Sequence, residues 1–490
     1  MIWDVVIIGA GIIGCAVARE LSRYDASILV LEAGSDVAEG ATKANSGIIH
    51  AGFDAASGSL KARYNVMGAH LYKKYCEELG AAYSRCGALV IALEESEKQK
   101  IHELYKRGME NGVQDLRMID RDAVLQMEPD INPDVVCALY APAGAIVSPY
   151  EIAFAAADDA AVNGVSFAFE QRVRKVSGTD SLFRIQTEKN SFSCRAVINC
   201  AGTGSAEIHN QLSADKLKMT YRRGQYYLLD RAEKQPFSHT IFQCPSKMGK
   251  GVLITPTVHG NLIIGPNAED IDRPLDTSTT SRGLEEVIGK AKRTWPHLSV
   301  RTNITNFSGI RAHLETGDFV VGAVDGADGA FEAVGIESPG LSCAPAIGIE
   351  LCARAAAYLK LEKKENVIRY TRSGKAFHDM TDSEREEAVR NDPLHGNIVC
   401  RCEMVTEAEI REAIHRPVGA KTIDAVKRRT RAGMGRCQGG FCSPRVASII
   451  SEETGIPLQN VTKNGGESYL LKGSVKEFLE RENESEEPGN

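Results

Sequence analysis

The chain has 490 residues, enough for two to three domains and a sizeable core. With 43% hydrophobic and 25% charged residues it reads as an ordinary soluble globular protein. Its net charge of −7 gives no reason to expect nucleic acid or an acidic membrane as a partner. The apolar stretch Val5–Ala18 lacks a basic leader, is too short to span a bilayer and runs straight into Arg19 and Glu20. No signal peptide or transmembrane segment is therefore expected. The expected compartment is cytoplasmic, with peripheral attachment to a membrane complex left open.

The first element is a strand, a glycine turn, a helix and a second strand. Gly9, Gly11 and Gly14 follow the apolar run Val5–Ile8, and Glu32 closes the next run, Ile28–Leu31. Flanking elements and a distal acid make this a dinucleotide fingerprint rather than a chance motif. Gly9 permits the turn, Gly11 lets backbone approach a pyrophosphate, and Gly14 lets the helix pack on the strand. Glu32 suits two ribose hydroxyls and argues against a 2′-phosphate. The motif alone does not choose between FAD and NAD.

Next comes a loop of small residues, "EGATKANSGIIHAGFD", with Ser46, Gly47 and His50. Strand character is expected near Gly87–Leu93, a helix over Glu95–Asn111, and a turn and helix over Gly144–Gly164. A second glycine turn lies in Ala196–Ile208, and a third glycine-rich segment spans Glu337–Leu359. Strand-like runs at Tyr221–Leu229, Gly251–Ile264 and Phe319–Val334 predict one antiparallel sheet, the floor and roof of a substrate pocket. Arg222, Arg223, Lys247, Lys250 and Arg311 are cations that could converge there on an anionic substrate. His50 has the ring to take a hydroxyl proton, or it is a structural histidine bonded to a carbonyl. Residues 361–395 are charged and turn-rich, with the linker itself placed at 366–395. The tail "ERENESEEPGN" is expected to be disordered.

Four of the 13 cysteines lie near the C-terminus, Cys400 and Cys402 in "VCRCE" and Cys437 and Cys442 in "GRCQGGFCSPR". Two tight pairs separated by helices, Glu407–His415 and Thr422–Arg429, are a metal or iron–sulfur ligand set. Zinc usually takes Cys-x-x-Cys pairs, and neither spacing here fits that. Arg401, Arg431 and Arg436 are expected to offset the cluster's negative charge. The other nine cysteines are expected to be reduced core residues.

The three-part glycine spacing resembles that of the D-amino-acid-oxidase-like flavoproteins over roughly residues 1–365. The cysteine segment resembles the bacterioferritin-associated-ferredoxin type of [2Fe–2S] domain, in the "CQGxxC" form fused to flavin dehydrogenases. The implied architecture is α/β. A Rossmann-like FAD-binding domain (about 1–75, 144–210 and 330–365) interleaves with an antiparallel-sheet substrate domain (about 76–143 and 211–329). A small helical [2Fe–2S] domain (396–450) and a C-terminal extension (451–490) follow. The strings "ANSGIIHAGFD", "RRGQYY", "GKGVLITPTVHGNLIIGPNAED", "FSGIRA" and "ESPGLSCAPAI" resemble the short bacterial FAD-dependent glycerol-3-phosphate oxidases and dehydrogenases. That resemblance implies glycerol 3-phosphate as substrate and His50, Lys250, Arg311 and Ser338 in the pocket. It also implies FAD contacts from Thr42, Ser46, Gly47, Val173, Gly202, Gly340, Leu341 and Ser342, and a separate redox subunit as electron acceptor. Two alternatives stay open. One is an L-2-hydroxyglutarate, other 2-hydroxy-acid or secondary-amine dehydrogenase; the other is a non-catalytic electron-transfer or redox-sensing flavoprotein.

Overall fold

A computed structural model describes residues 1–179, 182–232, 235–245, 251–371, 375–473 and 475–476. Lys247, Lys250 and the acidic tail from residue 477 lie outside the described residues. The chain divides into two compact units, residues 1–373 and 374–490.

In the first unit the strand Ile2–Ile8 is central. It pairs in parallel with Ile28–Leu31 on one side and with Ser191–Asn199 on the other. Val5, Val6 and Ile7 are fully buried, as a parallel strand covered on both faces requires. Among the described residues this sheet has eight strands. Helix Ile12–Leu21 packs against it and against helix Gly340–Leu359, where Gly348 lets the two backbones close up: a Cβ there would come within 2.8 Å of Ala16 Cβ.

The second sheet has nine strands among the described residues and is mostly antiparallel. Its longest pairing joins Met219–Leu229 to Asn303–Leu314. The turn expected at "PTVHGN" separates strands Leu253–Pro256 and Leu262–Gly265. One expectation is corrected. Val320–Ala323 and Ala330–Val334 pair with each other and then with Ser191–Asn199, so they belong to the nucleotide sheet and not to the pocket sheet. An apolar run announces a buried strand but does not say which sheet buries it.

The expected linker is also corrected, because both of its ends are fastened. Asn163 exchanges hydrogen bonds with the backbone of Ile368 (2.9 and 2.7 Å), and Tyr370 N–H donates to Asp159 (3.1 Å). The later part folds into the second unit. Helix Asp382–Asn391 starts with a Thr381/Glu384 capping box, and Phe377 N–H donates to the buried Glu409 (2.9 Å). The rest of that unit has helices Glu407–His415, Ile423–Thr430 and Ser443–Thr454 around one apolar core.

Candidate active site and iron–sulfur centre

The nucleotide cradle is built by glycines that side chains could not replace. Gly9 has φ +103°, and a Cβ on it would lie 2.4 Å from the Cys200 carbonyl oxygen. A Cβ on Gly14 would fall 1.9 Å from the Gly9 carbonyl oxygen, so the helix rests directly on the turn. Gly11 caps helix Ile12–Leu21 without a side chain, and Thr42 Oγ1 accepts from Ile12 N–H (3.0 Å). The other N–H groups of that first turn are left to a phosphate. Glu32 accepts from Ala10 N–H and Gly34 N–H, both at 2.7 Å. Burial pushes its carboxyl up against the pull of these donors. Gln171 N–H donates to the Glu32 carbonyl (2.8 Å), which ties the segment leading into strand Val173–Thr179 to the end of strand Ile28–Leu31. Gly202, φ +56°, opens the turn after strand Ser191–Asn199. The cradle fits a dinucleotide.

The loop after it is ordered from within. Asn45, which the motif reading passed over, accepts from Gly47 N–H (2.8 Å) and donates to the Ala41 and Thr42 carbonyls (3.1 and 2.9 Å). Ser46 is half-buried between them. Gly47, φ +69°, approaches Val147 so closely that a Cβ would sit 2.5 Å from its carbonyl oxygen. His50 is clamped through its backbone: its N–H donates to Ser342 Oγ (2.8 Å) and its carbonyl accepts from Asn65 Nδ2 (2.6 Å). Its ring lies with Nε2 3.4 Å from Ser338 Oγ and its centroid 5.6 Å from that of Phe242. Phe242 belongs to the pocket sheet, so the ring stands where the two halves of the unit meet.

Ser342 staples this loop. It is fully buried, and its hydroxyl holds His50 N–H and the Ile48 carbonyl. Gly340 and Leu341 begin the helix Gly340–Leu359, and Tyr72 O–H donates to the Leu341 carbonyl (2.8 Å).

The cations sort themselves by partner. Arg222 is held at both ends by Asp270 (2.7 and 3.2 Å), and Arg223 is buried on the other face against Glu269 (2.9 Å). Neither is a ready anion ligand, contrary to the sequence expectation. Arg311 stands opposite Arg222 across the strand pair and lies over Gly224, where a Cβ would meet its Nη2 at 2.3 Å. Its one bond among the described residues goes to the Asn267 carbonyl (3.2 Å), which leaves most of the guanidinium fork for an anion.

In the second unit, Cys400 and Cys402 sit at the hairpin of strands Ile398–Cys400 and Val405–Thr406. Cys437 and Cys442 sit in the turn before helix Ser443–Thr454. Gly435 lets the two motifs touch, since a Cβ on it would be 2.5 Å from Cys402 Cβ. All four thiols line a cavity of about 770 Å³ together with Phe441 and Arg445. They meet in pairs across the motifs: Cys402 and Cys437 Sγ are 3.7 Å apart, and the free thiols of Cys400 and Cys442 share a hydrogen bond. That bond brings the Cys400 thiol down to about 6 and pushes the Cys442 thiol up. Among the described residues no three His, Cys, Asp or Glu side chains form the shell of a single ion. Two thiol pairs at a roomy cavity fit a two-iron cluster better than one tetrahedral metal. Arg401 and Arg436 are exposed here, whereas Arg431 is buried in an ion pair with Glu403 (2.8 Å), a structural role rather than the charge offset expected.

Residues 4–354 match the family model described as FAD dependent oxidoreductase, and residues 398–452 that described as BFD-like [2Fe-2S] binding domain. A glycerol 3-phosphate dehydrogenase of Caloramator mitchellensis is 45% identical over 477 residues, covering 97% of this chain and 99% of its own. A mitochondrial L-2-hydroxyglutarate dehydrogenase of Bos taurus is 34% identical over 59% of this chain and 66% of its own. Among solved structures, the FAD-bound, dithionite-reduced L-alpha-glycerophosphate oxidase of Mycoplasma pneumoniae superposes with TM-score 0.72 at 29% identity, covering 76% of this chain and all of that one.

Proposed function

We propose, for a chain that belongs to the FAD dependent oxidoreductase family and carries a [2Fe–2S] domain at its C-terminus, that it oxidises sn-glycerol 3-phosphate to dihydroxyacetone phosphate. The observation that carries this reading is the likeness to a glycerol 3-phosphate dehydrogenase through both units, not through the flavin unit alone. FAD supplies the hydride acceptor, and the cluster supplies a one-electron exit to a separate redox subunit.

The chain's own groups do the rest. The His50 imidazole takes the proton of the substrate's secondary hydroxyl, a task suited to a ring that is a base near neutral pH. Ser338, 3.4 Å from Nε2, orients that ring, and Asn65 and Ser342 fix the backbone beneath it. Arg311 holds the phosphate by its open guanidinium fork. The carboxylate reading, to which the L-2-hydroxyglutarate dehydrogenase likeness belongs, predicts a different preference, which a substrate panel separates. Anaerobic bleaching of the flavin should be fast with sn-glycerol 3-phosphate and slow with L-2-hydroxyglutarate, glycine and glycerol. Faster bleaching by L-2-hydroxyglutarate would overturn the phosphate assignment. Bleaching by none would favour a non-catalytic flavoprotein.

A further inference from the structure

Arg311 is not the last cation on its face of the pocket sheet. In strand Asn303–Leu314, alternate residues share a face, so His313 lies beside Arg311 on the same face of the sheet. It is opposite Thr220, and its side chain is about a quarter exposed. Its Nδ1 is 2.8 Å from Glu337 Oε1, and the same oxygen takes Lys61 Nζ at 2.7 Å. Glu337 directly precedes Ser338, the residue that reaches His50.

Burial pushes the Glu337 carboxyl up, but Lys61 and His313 more than offset it and hold it below the usual carboxylate range. An ionised carboxylate only accepts, so the hydrogen between the two groups belongs to Nδ1. Nε2 is then the ring nitrogen left over, and among the described residues it has no hydrogen-bond partner. The charged groups around the ring are Glu337 and Lys61 from the neighbouring segments, Asp270 and Arg222 from the adjoining strands, and Arg311 from its own. Most of these cancel: Lys61 is spent on Glu337 and Arg222 on Asp270. Among the described residues, most of the Arg311 guanidinium and the His313 Nε2 have no partner.

The geometry points to His313 as a second phosphate-recognition residue. Glu337 fixes its tautomer, and its protonated Nε2 adds to Arg311 a donor whose charge depends on pH. This rests on the glycerol 3-phosphate reading and goes beyond it in naming the group that makes recognition of the anion pH-sensitive.

The test compares wild type, His313→Gln and His313→Lys holoenzyme by the glycerol 3-phosphate concentration that half-saturates anaerobic flavin bleaching, at pH 6 to 9. Dividing variant by wild type cancels the ionisation of the substrate itself. For His313→Gln the ratio should be about tenfold at pH 6 and fall to about twofold or less at pH 9, as expected for loss of one charge-assisted hydrogen bond. His313→Lys should restore tight binding and remove the pH dependence across this range. The maximal bleaching rate should stay near wild type in both. A ratio that is raised equally at all pH values assigns His313 a merely structural role and overturns the inference alone, as does a ratio near one throughout. If wild type is not bleached by glycerol 3-phosphate at all, the functional reading itself fails and this inference with it.

Discussion

At the scale of the residue, the account turns on His50, whose surroundings separate holding from chemistry. Backbone bonds to Ser342 and Asn65 hold the residue, so the ring can change without losing the loop. His50→Asn should therefore fold and bind FAD, yet lower the rate of flavin reduction by about 10²–10⁴-fold with little change in substrate affinity. A wild-type rate in stopped-flow bleaching would make the histidine structural. The loop that carries His50 was legible because its motif is local. The staple formed by the Ser342 hydroxyl was not legible, for the opposite reason. Its role depends on a contact 292 positions away in the chain, and a serine at a helix start carries no mark of which neighbour it will serve. The pairing of Arg222 with Asp270 was hidden in the same way, since a cation's availability is decided by what stands across the sheet.

At the scale of the element, glycines decide which segments can touch. The fingerprint glycines were legible from spacing, because the turn, the helix terminus and the strand are consecutive in sequence. Gly309 was not. A Cβ on it would lie 2.0 Å from the Ala44 carbonyl oxygen, so the long pocket strand presses on the cofactor loop only because that position is bare. Gly435 does the same for the two cysteine motifs. Gly435→Val should push the Cys402 hairpin from the Cys437 turn and lower iron and acid-labile sulfide per chain well below wild type. Full loading of that variant would show that the motifs meet without so close an approach. Helices Glu407–His415 and Ile423–Thr430 were legible to within a residue or so, and the structure caps them with Thr406 and Thr422, threonines that accept from the third residue on. Helix Asp382–Asn391 carries the same signature, but its charge made it read as a linker.

At the scale of the whole molecule, two units each carry a redox group of different capacity, and no helix among the described residues is long and apolar enough to cross a membrane. The division into a flavin unit and an iron–sulfur unit was legible because each has its own local fingerprint. The allocation of Val320–Ala323 to the nucleotide sheet was not, because sheet membership is set by long-range pairing that period-two patterning does not encode. The central claim is that substrate oxidised in the first unit feeds electrons to the second. An anaerobic titration of the holoenzyme with sn-glycerol 3-phosphate, followed by flavin absorbance and by the electron paramagnetic resonance of the cluster, tests it most directly. FAD stores two electrons and a [2Fe–2S] centre one, so about 1.5 equivalents per chain should be consumed, with the reduced-cluster signal rising as the flavin bleaches. Consumption that stops at about one equivalent, with the flavin bleached and the cluster still oxidised, would contradict the account.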